Sequence, residues 1–182
     1  MKFNGLAGYC AVAVVVLLSG CADRRSFSRQ EFYRGAALES DDGYLRVVDG
    51  QGDILALTRG TTSGRWSTAH GQWDTILLVL PAGETLREGL SHTFDRNLVG
   101  YRGYSRISGW DIMPEAELEI RLEVLEVEED RVVARVSGSV PLRAYRLEEE
   151  QVERDSREWL PRYNCLRFRG RYRFVRRDPE RM

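Results

Sequence analysis

The strongest constraint on the fold is a strict alternation of apolar and charged residues that begins at Glu117. Leu118, Ile120, Leu122 and Val124 alternate with Glu117, Glu119, Arg121 and Glu123. A period of two places the two sets on opposite faces of a strand, one buried and one wetted. The phase slips at Val124-Leu125, which predicts a β-bulge there. Glu128-Glu129-Asp130 supplies a turn, after which Val132, Ala134, Val136, Gly138 and Val140 resume the alternation. The pattern predicts an antiparallel hairpin of Glu117–Val127 with Arg131–Tyr145.

Strand signals continue on both sides of this hairpin. Tyr44–Val48, Ile54–Thr58, Thr75–Leu80, Leu90–Phe94 and Leu98–Ile107 read as strands. Asp49-Gly50-Gln51-Gly52, Pro81-Ala82-Gly83 and Asp95-Arg96-Asn97 read as the turns between them. Near the C-terminus Leu166, Phe168, Gly170, Tyr172 and Phe174 alternate with Arg167, Arg169, Arg171 and Arg173, which predicts a last strand. Two segments read as helical. Ser28-Arg29-Gln30-Glu31 resembles a capping box, followed by Phe32, Tyr33, Ala36 and Ala37 at helical spacing. Leu147–Leu160 pairs Glu150 with Arg154 and Glu153 with Arg157 four residues apart, as a solvated helix or a long loop would. The expected fold is all-β: a single antiparallel β-sandwich or small β-barrel with one or two short helices, occupying residues 31–182.

Charge is divided along the chain although the net charge is −1. Residues 115–130 hold eight acids against one Arg, and residues 162–182 hold eight Arg against two acids. If these strands are neighbours, Glu117, Glu119 and Glu123 meet the Arg row across the ladder, at roughly 0.2–1 kcal/mol for each pair. The sequence favours this structural pairing. The functional alternative is an anion-binding strip of Arg167, Arg169, Arg171 and Arg173, about 6.6 Å apart along one strand face.

Composition removes several chemistries. Lys2 is the only lysine. The cysteines are Cys10, Cys21 and Cys165, too few for a zinc-thiolate cluster. No nucleotide-binding glycine pattern, His-Glu-x-x-His or Gly-x-Ser-x-Gly is present. His70 with Asp74 and His92 with Asp95 are the only local His–carboxylate pairings, and lone pairs of this kind are usually structural. Tyr101, Tyr104 and Trp110 flank Gly100, Gly103 and Gly109. That combination can shape a ligand pocket, but more often marks core aromatics packed over strand glycines. The sequence therefore assigns no catalytic residue, no metal and no cofactor.

The N-terminus carries a more specific pattern. Lys2 precedes an uncharged apolar run, Leu6 to Leu18, which is too short for a comfortable membrane span of about 20 residues. The run has the length and flanks of a signal peptide and ends in Leu18-Ser19-Gly20-Cys21. This end resembles the lipobox of bacterial lipoproteins. The resemblance covers residues 1–21 only. It implies cleavage between Gly20 and Cys21, acyl chains on Cys21, and a lipidated tether over residues 21–30. Removal of residues 1–20 would leave 162 of the 182. Cys165 would then have no intrachain thiol partner, as a small core residue. Ala22, with Asp23 one position later, slightly favours the outer membrane over the inner membrane. The expectation that follows is a membrane-anchored protein of the cell envelope with a non-enzymatic binding, scaffold or assembly role. Its partner would be an envelope protein, a lipid or an anionic polymer, and export argues against nucleic acid. The alternative is an envelope-acting hydrolase that uses His70 or His92 with a nearby carboxylate.

Overall fold

A computed structural model of the chain describes residues 27–41, 44–61, 72–104, 108–113, 117–146 and 159–180. Nine strands follow one another: β1 (Arg29–Asp41), β2 (Tyr44–Thr61), β3 (Gln72–Val79), β4 (Ser91–Phe94), β5 (Val99–Tyr104), β6 (Ser108–Ile112), β7 (Ile120–Val127), β8 (Arg131–Arg146) and β9 (Trp159–Arg176). They form one mixed sheet in the order β4-β7-β8-β9-β1-β2-β3-β5, with β6 also paired to β8. The sheet does not close, so the fold is all-β and sandwich-like rather than a sealed barrel. Two antiparallel halves meet at a short parallel contact, Glu31 with Val175 and Phe32 with Arg176. Phe32, Leu55, Leu57, Ile76 and Leu78 from one half pack with Ile120, Leu122, Val132, Val136, Phe168 and Phe174 from the other.

The central hairpin forms as its alternation demands. β7 and β8 pair from Ile120 with Gly138 to Val127 with Val132, and the register shifts between Val124 and Glu126. The bulge lies where the apolar phase slips.

The N-terminal region departs from expectation. The expected helix at Ser28–Ala37 is instead part of β1, and the expected turn at Asp49–Gly52 lies inside the long strand β2. Both have one cause. β1 and β2 form a continuous antiparallel hairpin interrupted by a bulge, in which Ala36 faces both Asp49 and Gly52. Gly35 has a positive φ of 59°, a conformation open to glycine at little cost. A Cβ on Gly50 would fall 2.6 Å from the Ala37 Cβ and 2.7 Å from backbone atoms of Ala36 and Ala37. The glycines thus allow a bulge rather than a reversal. The bulge also resets the side-chain phase of β1, which is why Phe32, Tyr33, Ala36 and Ala37 imitate a helical period. The helical element is corrected to strand. Among the described residues the only helical turn is a 3-10 turn at Arg96–Leu98, capped by Asp95 through the Asn97 N–H. The expected helix or loop at Leu147–Leu160 falls mostly on residues 147–158, outside the described residues, and Trp159 and Leu160 already belong to β9.

The bulge has a packing consequence. Ile54, Ala56 and Leu77 are buried on the face of β2 and β3 that points away from the main core. Ala36, Leu38, Leu45 and Val47, from the part of the hairpin beyond the bulge, pack against them. Leu38 and Leu45 also lie within 3.0 Å of where a Cβ on Gly100 of β5 would be. The Arg102 guanidinium donates to the Leu45 carbonyl at 3.3 Å, so the bent hairpin lies over β3 and β5 as a second layer.

Two expectations follow. Gly50→Ala forces the bulge open and costs about 1–3 kcal/mol, whereas Gln51→Ala, exposed beside it, stays within about 0.5 kcal/mol; urea unfolding of both variants checks this. Burial, and then the neighbouring Glu31 carboxylate, push the Tyr33 phenol up to about 12. The folded chain holds this proton more tightly than the unfolded chain, whose phenol titrates near 10. That contribution to stability is present below pH ~10 and is lost as pH rises through about 12. Tyr33→Phe flattens the stability profile over that window, read from urea midpoints at successive pH values.

Candidate functional site

The four candidate arginines lie on the outward face of β9. Arg167, Arg169, Arg171 and Arg173 are all exposed, while Leu166, Phe168 and Phe174 between and beside them enter the core. The strand order separates this row from the acids of β7, because β8 lies between. The cross-strand neighbours of Arg167, Arg169 and Arg173 are therefore Ser139, Ser137 and Val133, and that of Arg171 is Arg135. Like charges opposite one another repel. Glu126 pairs with Arg171 and Glu123 with Arg135, bracketing the two cations. Glu119 pairs within its own segment, with Arg121 at 2.6 Å.

The expected meeting of Glu117, Glu119 and Glu123 with the Arg row is thus corrected. Among the described residues only Arg171 of the row reaches an acid, and that acid is Glu126. Among the described residues, the side chains of Arg167, Arg169 and Arg173 have no acidic partner. Exposed ion pairs of this kind contribute about 0–1 kcal/mol each, so the row is not held in place mainly for stability.

The chain enters the fold beside this row. The Phe27 ring stacks on Phe168, with centroids 5.1 Å apart and planes at 7°, and meets Tyr172 edge-on at 6.1 Å. Phe27 is buried. Ser28 donates its backbone N–H to the Thr58 carbonyl at 2.9 Å. The Arg173 N–H donates to the Gln30 side-chain carbonyl at 2.8 Å. The N-terminal segment is therefore fastened to β9 and β2 from Phe27 onwards. Burial raises the Tyr172 phenol above its ordinary value.

Two other polar clusters are structural in geometry. Arg59, Asp74 and Gly103 form one cross-strand row over β2, β3 and β5. The Arg59 guanidinium, only 4% exposed, donates to Asp74 Oδ2 at 2.7 Å. The Tyr101 hydroxyl donates to Asp74 Oδ1 at 2.6 Å. A Cβ on Gly103 would lie 2.0 Å from that hydroxyl oxygen, so the glycine makes room for the tyrosine. Tyr101 is thus a core aromatic over a strand glycine, not the wall of an apolar pocket. In the second cluster the buried Asp53 carboxylate accepts from the Leu86 N–H at 2.8 Å and the Gly35 N–H at 3.4 Å, tying the 80–90 loop to the bulge. Neither cluster stood out in the sequence. Arg59 and Asp74 sit at the ends of separate apolar runs, and only the β2–β3 register brings them together.

The histidines divide. His70 lies outside the described residues. His92 Nδ1 is 3.2 Å from Glu84 Oε2, and its ring meets Phe94 edge-on at 4.7 Å. Asp95 is not its partner; that carboxylate caps the 3-10 turn. Among the described residues no Ser, Thr or Cys side chain is hydrogen-bonded to His92. The pair joins the 80–90 loop to β4 at the sheet edge. A shallow depression of about 340 Å³ lies elsewhere, lined by Arg34, Val127, Glu128, Glu129 and Arg176.

Cys165 is half-buried near the middle of β9 and is disulfide-bonded, its partner lying outside the described residues. The expectation of a lone thiol concerns a chain without Cys10 and with Cys21 acylated, whereas the full sequence contains both cysteines. Among the described residues no group of three or more His, Cys, Asp or Glu side chains is arranged to hold a metal ion, and no helix is long and apolar enough to cross a membrane. No family model, characterised protein or solved structure matches the chain.

Asp74→Ala leaves the Arg59 charge buried beside a lost carboxylate and costs about 3 kcal/mol. Tyr101→Phe removes one hydrogen bond to the same carboxylate and costs about 1–2 kcal/mol. Equilibrium unfolding in urea measures both, and the Asp74 variant is the less stable of the two.

Proposed function

We propose that this chain is a lipid-anchored envelope lipoprotein, with Cys21 as the acylated first residue of the mature protein and a binding or scaffold role for its β domain. The lipobox-like end of the apolar run supports the anchor. The observation that carries the reading is the position of Phe27. It is seated in the core only six residues after Cys21. An anchor at that point would hold the domain against the membrane surface rather than on a long stalk. The exposed arginines of β9, beside the entry point, supply a surface for an envelope partner. Ala22 after the cysteine favours the outer membrane.

The anchor and the Cys165 disulfide exclude each other. Acylation consumes the Cys21 thiol, and cleavage before Cys21 removes Cys10. A processed chain would therefore offer Cys165 neither of the other two cysteines as a disulfide partner. The hydrolase alternative retains one supporting observation, the His92–Glu84 pair, without a nucleophile beside it among the described residues.

Growth with labelled fatty acid tests the reading directly. The expected result is label on the wild-type protein, none on Cys21→Ser, an intact mass that starts at a diacylated Cys21, and one titratable thiol. A mature protein without acyl groups and with Cys165 still oxidised would sink it.

A further inference from the structure

We propose that the Arg167–Arg173 row of β9 lies against the anionic headgroups of the same bilayer that holds the Cys21 anchor, so that the outward face of β9 is turned towards the membrane. The inference rests on the lipoprotein reading and gives it an orientation. Three independent observations converge on that face.

The first is reach. A peptide spans at most about 3.3–3.6 Å per residue. The six steps from Cys21 to Phe27 therefore allow roughly 20 Å. Phe27 stacks directly on Phe168, the residue between Arg167 and Arg169. An acyl chain on Cys21 would therefore keep Phe27 within roughly 20 Å of the headgroups, and Arg167 and Arg169 flank the Phe168 on which it stacks, on the opposite face of β9.

The second is the distribution of charge. On the outward face of β7, β8 and β9, the acids Glu119, Glu123 and Glu126 belong to β7 and the segment leading into it, at one side. The arginines without acidic partners are on β9, at the other side, two strand spacings or about 9.5 Å away. Each of those acids is paired with an arginine, so the uncompensated charge of this face is the positive charge on β9, and a negative surface attracts that side. The face therefore tilts with β9 towards the bilayer, and that is also the side on which the anchor enters.

The third is chemistry. Arg is held charged at all accessible pH values, and its fork binds phosphate in two parallel hydrogen bonds. The side chains of Arg167, Arg169 and Arg173 have no acidic partner among the described residues, so no ion pair has to break before they bind.

The test uses the full lipidated chain, purified in detergent. It is diluted into a mixture of phosphatidylcholine vesicles and vesicles with about one-third phosphatidylglycerol, and the two populations are separated. The apolar anchor inserts into both alike, so the distribution between them isolates the charge term. Each arginine near an anionic surface contributes about fivefold. The parent chain should favour the charged vesicles by roughly a hundredfold at low salt, and the preference should fall as salt shortens the Debye length. Replacing Arg167, Arg169 and Arg173 by Ser should bring the ratio close to one with the melting temperature unchanged. The corresponding Lys variants should keep most of the preference. Replacing Arg46, Arg87 and Arg96 by Ser, which removes the same charge elsewhere, should leave it largely intact.

An even distribution of the lipidated parent overturns the proposal and leaves the anchor standing. Equal losses in the two Ser variants also overturn it, because net charge alone would then explain the preference. Binding of soluble polyphosphate with no preference for charged vesicles overturns the bilayer as partner in favour of an anionic polymer. If the purified chain carries no acyl group but still favours charged vesicles in an Arg167-, Arg169- and Arg173-dependent way, the face stands and the anchor falls.

Discussion

Both faces of β2 and β3 are apolar where they cross the centre of the sheet, and a sheet with two apolar faces must be covered twice. Leu55, Leu57, Ile76 and Leu78 face the opposing half-sheet, while Ile54, Ala56 and Leu77 face away from it. The second face is covered by the chain's own β1–β2 hairpin, bent back at the Gly35 and Asp49–Gly52 bulge. Much of the remaining architecture depends on that bend. It carries Leu38 and Leu45 over Gly100. It places Val47 where its carbonyl accepts from the Glu180 N–H at 2.8 Å, bringing in the C-terminal segment. Asp53, beside the bulge, holds the 80–90 loop through the Leu86 N–H.

Polar side chains inside the domain serve the same purpose. Asp53 and Asp74 are placed where strands or loops must be held in one register, and each accepts two hydrogen bonds or a guanidinium. Burying a carboxylate is costly unless it is so compensated. Outside, the charge is arranged differently. Acids collect on the β7 side, and β8 lies between them and β9; among the described residues Arg171 reaches Glu126, while the side chains of Arg167, Arg169 and Arg173 meet no acid. This uneven distribution is the observation on which the proposed orientation at a negatively charged surface rests.

The sequence was most informative where one rule acted alone. The β7–β8 hairpin has one buried face and one wetted face, so its period was legible, down to the bulge at Val124. The row of four arginines was legible for the same reason. Legibility failed where two faces are buried or where glycine changes the phase. Phe32, Tyr33, Ala36 and Ala37 face different layers across a bulge, and their spacing resembles a helix although each is in a strand. Asp49-Gly50-Gln51-Gly52 has the composition of a turn, and turn and bulge draw on the same residues. The Arg59–Asp74–Tyr101 cluster was not legible, because its members come from three runs with no local signature.

Periodicity and residue chemistry in the chain alone established the all-β class and the outward direction of the arginines, since each depends on neighbours a few positions away. Tertiary structure decided which acid each arginine meets, which face of the sheet the hairpin covers, and that Phe27 enters beside β9. These are long-range pairings. Strand order and register set them, and a bulge of one or two residues can reassign a whole face without any change in local composition.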